Sequence, residues 1–220
     1  SFQPFSILTS SKFICIFLPF ISFSCIILTK IYPKERAVSE QIFNKIYELL
    51  SNNEAKFKVL NHESATTSEE VAKLRGTKMS QGAKALVCSI KGVDEEKFRK
   101  IFKDENVLND YLLSDEKPAM KVGKIYLLAV LPADEQADLD ALTQKFDGKK
   151  ASLASPEEVA ALADCVFGSV PPFSFHKNLH LVVDESLLER NEEIAFNAGL
   201  LDRSVVLNAK DYARIVKPVL

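Results

Sequence analysis

Glycine, histidine and cysteine are all scarce in this chain of 220 residues, and each shortage closes off a class of explanation. Seven glycines and nine prolines leave no long flexible linker, so a single globular domain with a full core is the default reading. Three histidines and four cysteines, with no C-x-x-C pair, support neither a zinc site nor a disulfide framework. Cys15 and Cys25 lie near the N-terminus, while Cys88 and Cys165 fall in apolar segments and read as reduced, buried thiols. An excess of basic charge is also missing. Setting aside Lys12 and Lys30 leaves 26 of the 28 bases against 30 acids, a net charge of −4 for residues 31 to 220. A protein that coats nucleic acid draws its affinity from neutralising phosphates and is strongly basic, so any grip on RNA here is local and brief.

Acidic residues are absent from residues 1 to 30, and Phe13 to Leu28 form a 16-residue uncharged run broken only by Pro19. That is shorter than the about 20 residues a membrane span needs and closer to the apolar region of a signal peptide. The segment is set apart from the fold as a targeting leader, a signal anchor, an over-extended translation or a structural element. No A-x-A cleavage pattern chooses among these.

From residue 38 the sequence patterns clearly. Ile42, Phe43, Ile46, Leu49 and Leu50 form a helical stripe that Asn52-Asn53 ends, and Phe57 to Leu60 suit a short strand. Thr67-Ser-Glu-Glu70 has capping-box spacing and opens a helix to Arg75, closed by Gly76. Ala83 to Ile90 and the apolar run Lys124 to Leu131 read as strands, and Pro132 ends the second. Asp134 to Phe146 reads as a helix with Leu139 and Leu142 inward. Ser155-Pro-Glu-Glu158 starts another through Leu162, with its N-cap serine and proline at the first helical position. Leu179 to Val183, Glu193 to Phe196 and Ser204 to Leu207 are further strands, before a closing helix from Ala209 to Ile215. Strands follow one another without intervening helices often enough to predict an α/β domain around a mixed, largely antiparallel sheet.

Common catalytic signatures are missing too: there is no G-x-S-x-G, Walker loop, G-x-G-x-x-G or H-E-x-x-H. So few histidines and cysteines make a protein-borne nucleophile with its base hard to assemble. Two candidates remain. Lys84 opens the otherwise apolar strand of Gln81-Gly-Ala-Lys-Ala-Leu86, either as a solvated edge lysine or as a fixed cation that holds a phosphate or polarises a carbonyl. Gly168-Ser-Val-Pro-Pro-Phe-Ser-Phe-His176 is a stiff turn, because two adjacent prolines fix φ and remove two donors while Gly168 allows close backbone approach. It serves either as a plain structural turn or as a pocket wall, and His176, His180 and His62 carry little weight alone.

Four segments in series, Gln81 to Cys88, Lys150 to Pro156, Cys165 to His176 and Glu193-Ile-Ala-Phe-Asn-Ala-Gly199, resemble the YbaK/EbsC-type family of aminoacyl-tRNA deacylases. That family includes the editing domain inserted in bacterial prolyl-tRNA synthetases, and the resemblance is to its YeaK-like branch, from about residue 40 to the C-terminus. It implies one α/β domain over residues 36–220, built on a curved, mixed and mostly antiparallel sheet. It further implies that Lys84 is the essential lysine anchoring the terminal nucleotide of the tRNA. Gly168, Ser169, Val170, Pro171 and Pro172 would form the G-x-x-x-P loop lining the aminoacyl pocket, with His176, Asn197 and Gly199 as further substrate-binding candidates. The implied reaction is trans-editing: hydrolysis of the ester on a tRNA acceptor end carrying a wrong, small amino acid, without metal or cofactor. A non-catalytic aminoacyl-tRNA or synthetase-binding module using the same pocket is the alternative.

Further implied partners are an aminoacyl-tRNA synthetase or an elongation factor, with no stable membrane partner unless residues 1 to 30 are a retained anchor. The implied location is the cytoplasm, or an organelle if those residues are a genuine leader. Two departures stand out. Ser174 replaces a glycine common in the family, and residues 92–123 look like an insertion of two short amphipathic helices whose Lys97, Arg99, Lys100 and Lys103 offer either a solvated face or a contact for the tRNA acceptor stem.

Overall fold

A computed structural model describes the protein from Pro33 to Leu220, except residues 66, 103–107, 109–110, 113–122 and 166–167. The proposed leader, residues 1–30, therefore lies outside the described residues, as does most of the second helix expected in the insertion.

Helix α1 (Pro33–Asn52) sets its apolar stripe inward, so that Ile42, Ile46, Leu49 and Leu50 are all buried. Strand β1 (Phe57–Asn61) follows, and α2 (Ser68–Arg75) starts at the Thr67 capping box and stops at Gly76. Strand β2 (Ala83–Lys91) leads into α3 (Glu95–Ile101), and β3 (Lys124–Pro132) returns antiparallel to β2. Then come α4 (Leu139–Lys145), β4 (Lys150–Leu153), α5 (Pro156–Ala163), β5 (Leu179–Val183) and α6 (Glu185–Glu189). The hairpin of β6 (Glu193–Leu200) and β7 (Arg203–Asn208) precedes α7 (Ala209–Val216).

The strands form two sheets, ordered β1-β7-β6 and β4-β2-β3-β5. Every named pairing is antiparallel except β3 with β5. Among the described residues a bridge between Gly82 and Ala195 joins the sheets just before β2, so the expected mixed, mostly antiparallel sheet is assembled from two parts that meet there.

Why β3 reads as unbroken apolar sequence is now evident. Tyr126, Leu128 and Val130 enter a core with α1, β6 and α7, while Leu127 and Ala129 enter a second core with Phe98, Phe102 and Phe146. A strand covered on both faces has no solvent side to make polar. The second core also explains α3: Phe98 and Phe102 pack against Phe146 and the His180 ring, closing over the far face of the four-stranded sheet.

One helix is shorter than the sequence suggests. Residues 134 to 138 are not helical, because Asp138 keeps an extended ψ of 96° and its side chain accepts from the Ala141 N–H, which makes it the cap. Asp134 and Glu135 are instead held by Arg190, with 2.8 Å between Asp134 and its guanidinium. Two elements carried no clear signal: β4, four residues with only two apolar side chains, and α6, barely more than a turn capped by Asp184.

Candidate active site

Lys84 lies second in β2, opposite Leu131 of β3. Its ammonium donates to the Glu135 carbonyl in the turn after β3. That turn is pinned over the start of β2 by the Ala133 N–H, which donates to the Gly82 carbonyl at 2.8 Å. The lysine is thus a half-buried cation tied to backbone rather than a loose edge residue.

The glycine–proline loop is fixed from three directions. Asn197 of β6 donates Nδ2–H to the Gly168 carbonyl at 2.9 Å, and the Gly199 N–H donates to the Ser169 carbonyl at 3.0 Å. From α7, the fully buried Tyr212 hydroxyl donates to the Pro172 carbonyl at 2.7 Å, and burial raises its pKa. Phe173 and Phe175 then anchor the loop in the core. Gly168 has φ of +86°, a conformation that costs side-chain-bearing residues about 1–2 kcal/mol.

Between Lys84 and this loop lies a cavity of about 240 Å³. Lys84, Gly168, Val170 and Asn197 all line it, so strand lysine and loop backbone share one space. Ser169, Pro171 and Pro172 are buried behind this wall, and Gly199 packs against Ile42 and Ser39 with φ of +83°. His176 borders a different, smaller cavity of about 120 Å³ with Lys177 and His180, so it does not share the Lys84 cavity.

One polar lining residue carried no signal of this role in the sequence. Arg75 ends α2, where a base beside Gly76 reads simply as favourable charge at a helix C-terminus. In the fold its guanidinium donates to Ser204 Oγ at 2.8 Å, to the Ala195 carbonyl at 3.3 Å and to Asn197 Oδ1 at 2.7 Å. Burial lowers its pKa to about 10, which leaves it charged at neutral pH. Most of the remaining lining is apolar, including Val71, Met79, Leu153 and Val159.

Cys88 and Cys165 are buried and in no disulfide, and burial raises Cys88 to about 11, away from nucleophilic chemistry. Among the described residues no three His, Cys, Asp or Glu side chains are grouped to hold a metal ion. On α3, Lys97 pairs with Asp147 at 3.0 Å and Lys100 with Glu96 at 2.9 Å, while the side chains of Arg99 and Lys103 lie outside those described.

A mixed α/β domain with a cation on a strand, a rigid backbone wall and an apolar cavity between them defines a binding or hydrolytic domain for a small substrate group. The chain belongs to the aminoacyl-tRNA editing domain family, which residues 62–215 match. It is 44% identical over 186 residues to the multifunctional Ser/Thr-tRNA deacylase ProXp-y of Escherichia coli strain K12, an alignment covering 84% of this chain and 95% of that protein. The E. coli O157:H7 protein of the same name is equally similar. Among solved structures, hypothetical protein APE2540 matches with a TM-score of 0.59 at 19% identity, covering 80% of this chain and 95% of that one. A proposed trans-editing enzyme for prolyl-tRNA synthetase matches with a TM-score of 0.56 at 21% identity, covering 80% and 92%. Both agree with the fold described above.

Proposed function

We propose that the protein is a trans-editing deacylase that hydrolyses the ester between serine or threonine and the 3′ end of a mischarged tRNA. The observation that carries the reading is the shared cavity: Lys84 and the Gly168 backbone line one space of about 240 Å³, large enough for an aminoacyl group. Family membership and the Ser/Thr-tRNA deacylase relative supply the substrate class.

The chemistry asks little of side chains. An aminoacyl ester is already activated, so holding it beside water in a rigid pocket supplies much of the acceleration. Water adds to the carbonyl carbon, the bond to the ribose oxygen breaks, and the ribose recovers its hydroxyl; a neighbouring ribose hydroxyl can assist. In this scheme Lys84 holds the terminal nucleotide, and Gly168 and Val170 form the wall against which the aminoacyl group rests. Pro171, Pro172 and Gly199 act from behind that wall by holding its shape. An aminoacyl-tRNA synthetase or an elongation factor as delivery partner, and a cytoplasmic setting, belong to the same proposal. No described helix is long and apolar enough to cross a membrane.

The test is release of amino acid from one tRNA body charged in turn with serine, threonine, alanine and proline. Rapid release of serine and threonine is the expected result; a protein that binds these substrates but leaves or protects the ester is a binding module instead.

A further inference from the structure

Arg75 poses a question that the reading above leaves open. It is half-buried and charged, yet among the described residues it pairs with no carboxylate, only with the neutral oxygens of Ser204, Ala195 and Asn197. Burying a charge against neutral groups alone is costly, and folds rarely tolerate it without a return elsewhere. A guanidinium has five N–H groups and no acceptor. Three are engaged, one each from Nε, Nη1 and Nη2, so one donor remains on each terminal nitrogen. Arg75 lines the same cavity as Lys84, in which most neighbouring groups are apolar. Through Asn197 it also adjoins the Gly168 end, because Asn197 takes the arginine's hydrogen bond at Oδ1 and passes its own from Nδ2 to the Gly168 carbonyl.

A donor-only group at the glycine-loop end of an apolar cavity selects for what enters there. An α-ammonium has no lone pair to offer it and is repelled by its charge. A methyl leaves its donors unsatisfied. A side-chain hydroxyl supplies an acceptor oxygen. We propose that Arg75 is a specificity-determining residue that reads the side-chain hydroxyl of the aminoacyl group, favouring serine over alanine and threonine over its isostere valine. This rests on the reading that the cavity receives the aminoacyl end of a tRNA. A pocket built to hydrogen-bond a hydroxyl rejects the analogue lacking it far more strongly than an apolar pocket rejects one methylene.

The experiment compares kcat/KM on a single tRNA body charged with serine, alanine, threonine or valine, for the wild type, Arg75→Met and Arg75→Lys. The wild type should prefer threonine to valine, and serine to alanine, by about tenfold or more. Arg75→Met should collapse both ratios toward one, mainly by slowing the hydroxylated substrates, and Arg75→Lys, which keeps a charged donor, should restore part of each. Should Arg75→Met fail to fold, the wild-type ratios and those of Arg75→Lys decide. Equal losses on all four substrates, or unchanged ratios, would overturn the proposal, since a residue that merely braces β6 cannot distinguish threonine from valine. Wild-type protein that hydrolyses none of the four overturns the deacylase reading itself and this inference with it, whereas hydrolysis without hydroxyl preference overturns this inference alone.

Discussion

Asn197 donates to the Gly168 carbonyl at 2.9 Å, and this hydrogen bond ties β6, the outer strand of the three-stranded sheet, to the backbone wall of the cavity. Asn197→Ala should therefore release the loop rather than unfold the domain. The expected outcome is a loss of about tenfold in kcat/KM for deacylation, with faster amide exchange confined to residues around 168–170 and a stability change near 1 kcal/mol.

Lys84→Ala should abolish deacylation while leaving thermal stability almost unchanged, because the side chain adds little to either core and its hydrogen bond is to the backbone of a surface turn. Steady-state deacylation and a melting curve check both halves. A stable variant with full activity removes the lysine from the mechanism.

Gly168→Ala and Gly199→Ala should part company. At Gly168 a methyl meets nothing closer than Leu201 Cδ2 at 3.7 Å, so only the positive φ is penalised, by about 1–2 kcal/mol. At Gly199 it meets Ile42 and the Ser39 carbonyl at 3.0–3.1 Å and carries the same backbone strain, so the loss should be larger, about 2–4 kcal/mol. Chemical denaturation separates them. Activity should fall further in the Gly168 variant than its stability loss explains.

Tyr212→Phe leaves the Pro172 carbonyl without its buried donor. A destabilisation of about 1–3 kcal/mol is expected, measurable by urea unfolding, and restoring the hydroxyl should restore it fully.

Acid should weaken the fold through Glu158. Its carboxylate receives hydrogen bonds from Lys124 and Tyr126, both at 2.8 Å, and from the Ser155 N–H. The Lys124 bond, with these others, lowers its pKa to about 2. A carboxylate depressed in the folded state stabilises above its unfolded pKa, near 4.5, and loses that contribution as pH falls toward 2. Glu158→Gln should therefore be clearly less stable than wild type at pH 7 and converge with it near pH 2, as unfolding curves across that range will show.

How much of this was legible depends on the range of the interaction. The Thr67 and Ser155 capping boxes, the stop at Gly76 and the strand β3 follow from neighbours within a few residues, and all are found where the sequence puts them. The helix expected from Asp134 failed because its first residues are claimed by Arg190 and Lys84, more than 50 positions away in the chain. The YbaK/EbsC-type resemblance led to Lys84 and to the Gly168 loop, and it could not say which loop residues line the cavity. Val170 and Gly168 reach the cavity while Pro171 and Pro172 turn into the core under Tyr212 and the phenylalanines.

Local pattern alone determined most of the order of helices and strands, β4 and α6 excepted, together with the mixed sheet and the rigidity of the glycine–proline turn, because capping, alternation and fixed φ act over a handful of bonds. Only the tertiary structure decided that Arg75 joins Lys84 at one cavity and that His176 belongs to another. Those placements arise from a bridge between two sheets and from hydrogen bonds spanning more than 100 residues, distances over which no periodicity in the sequence survives.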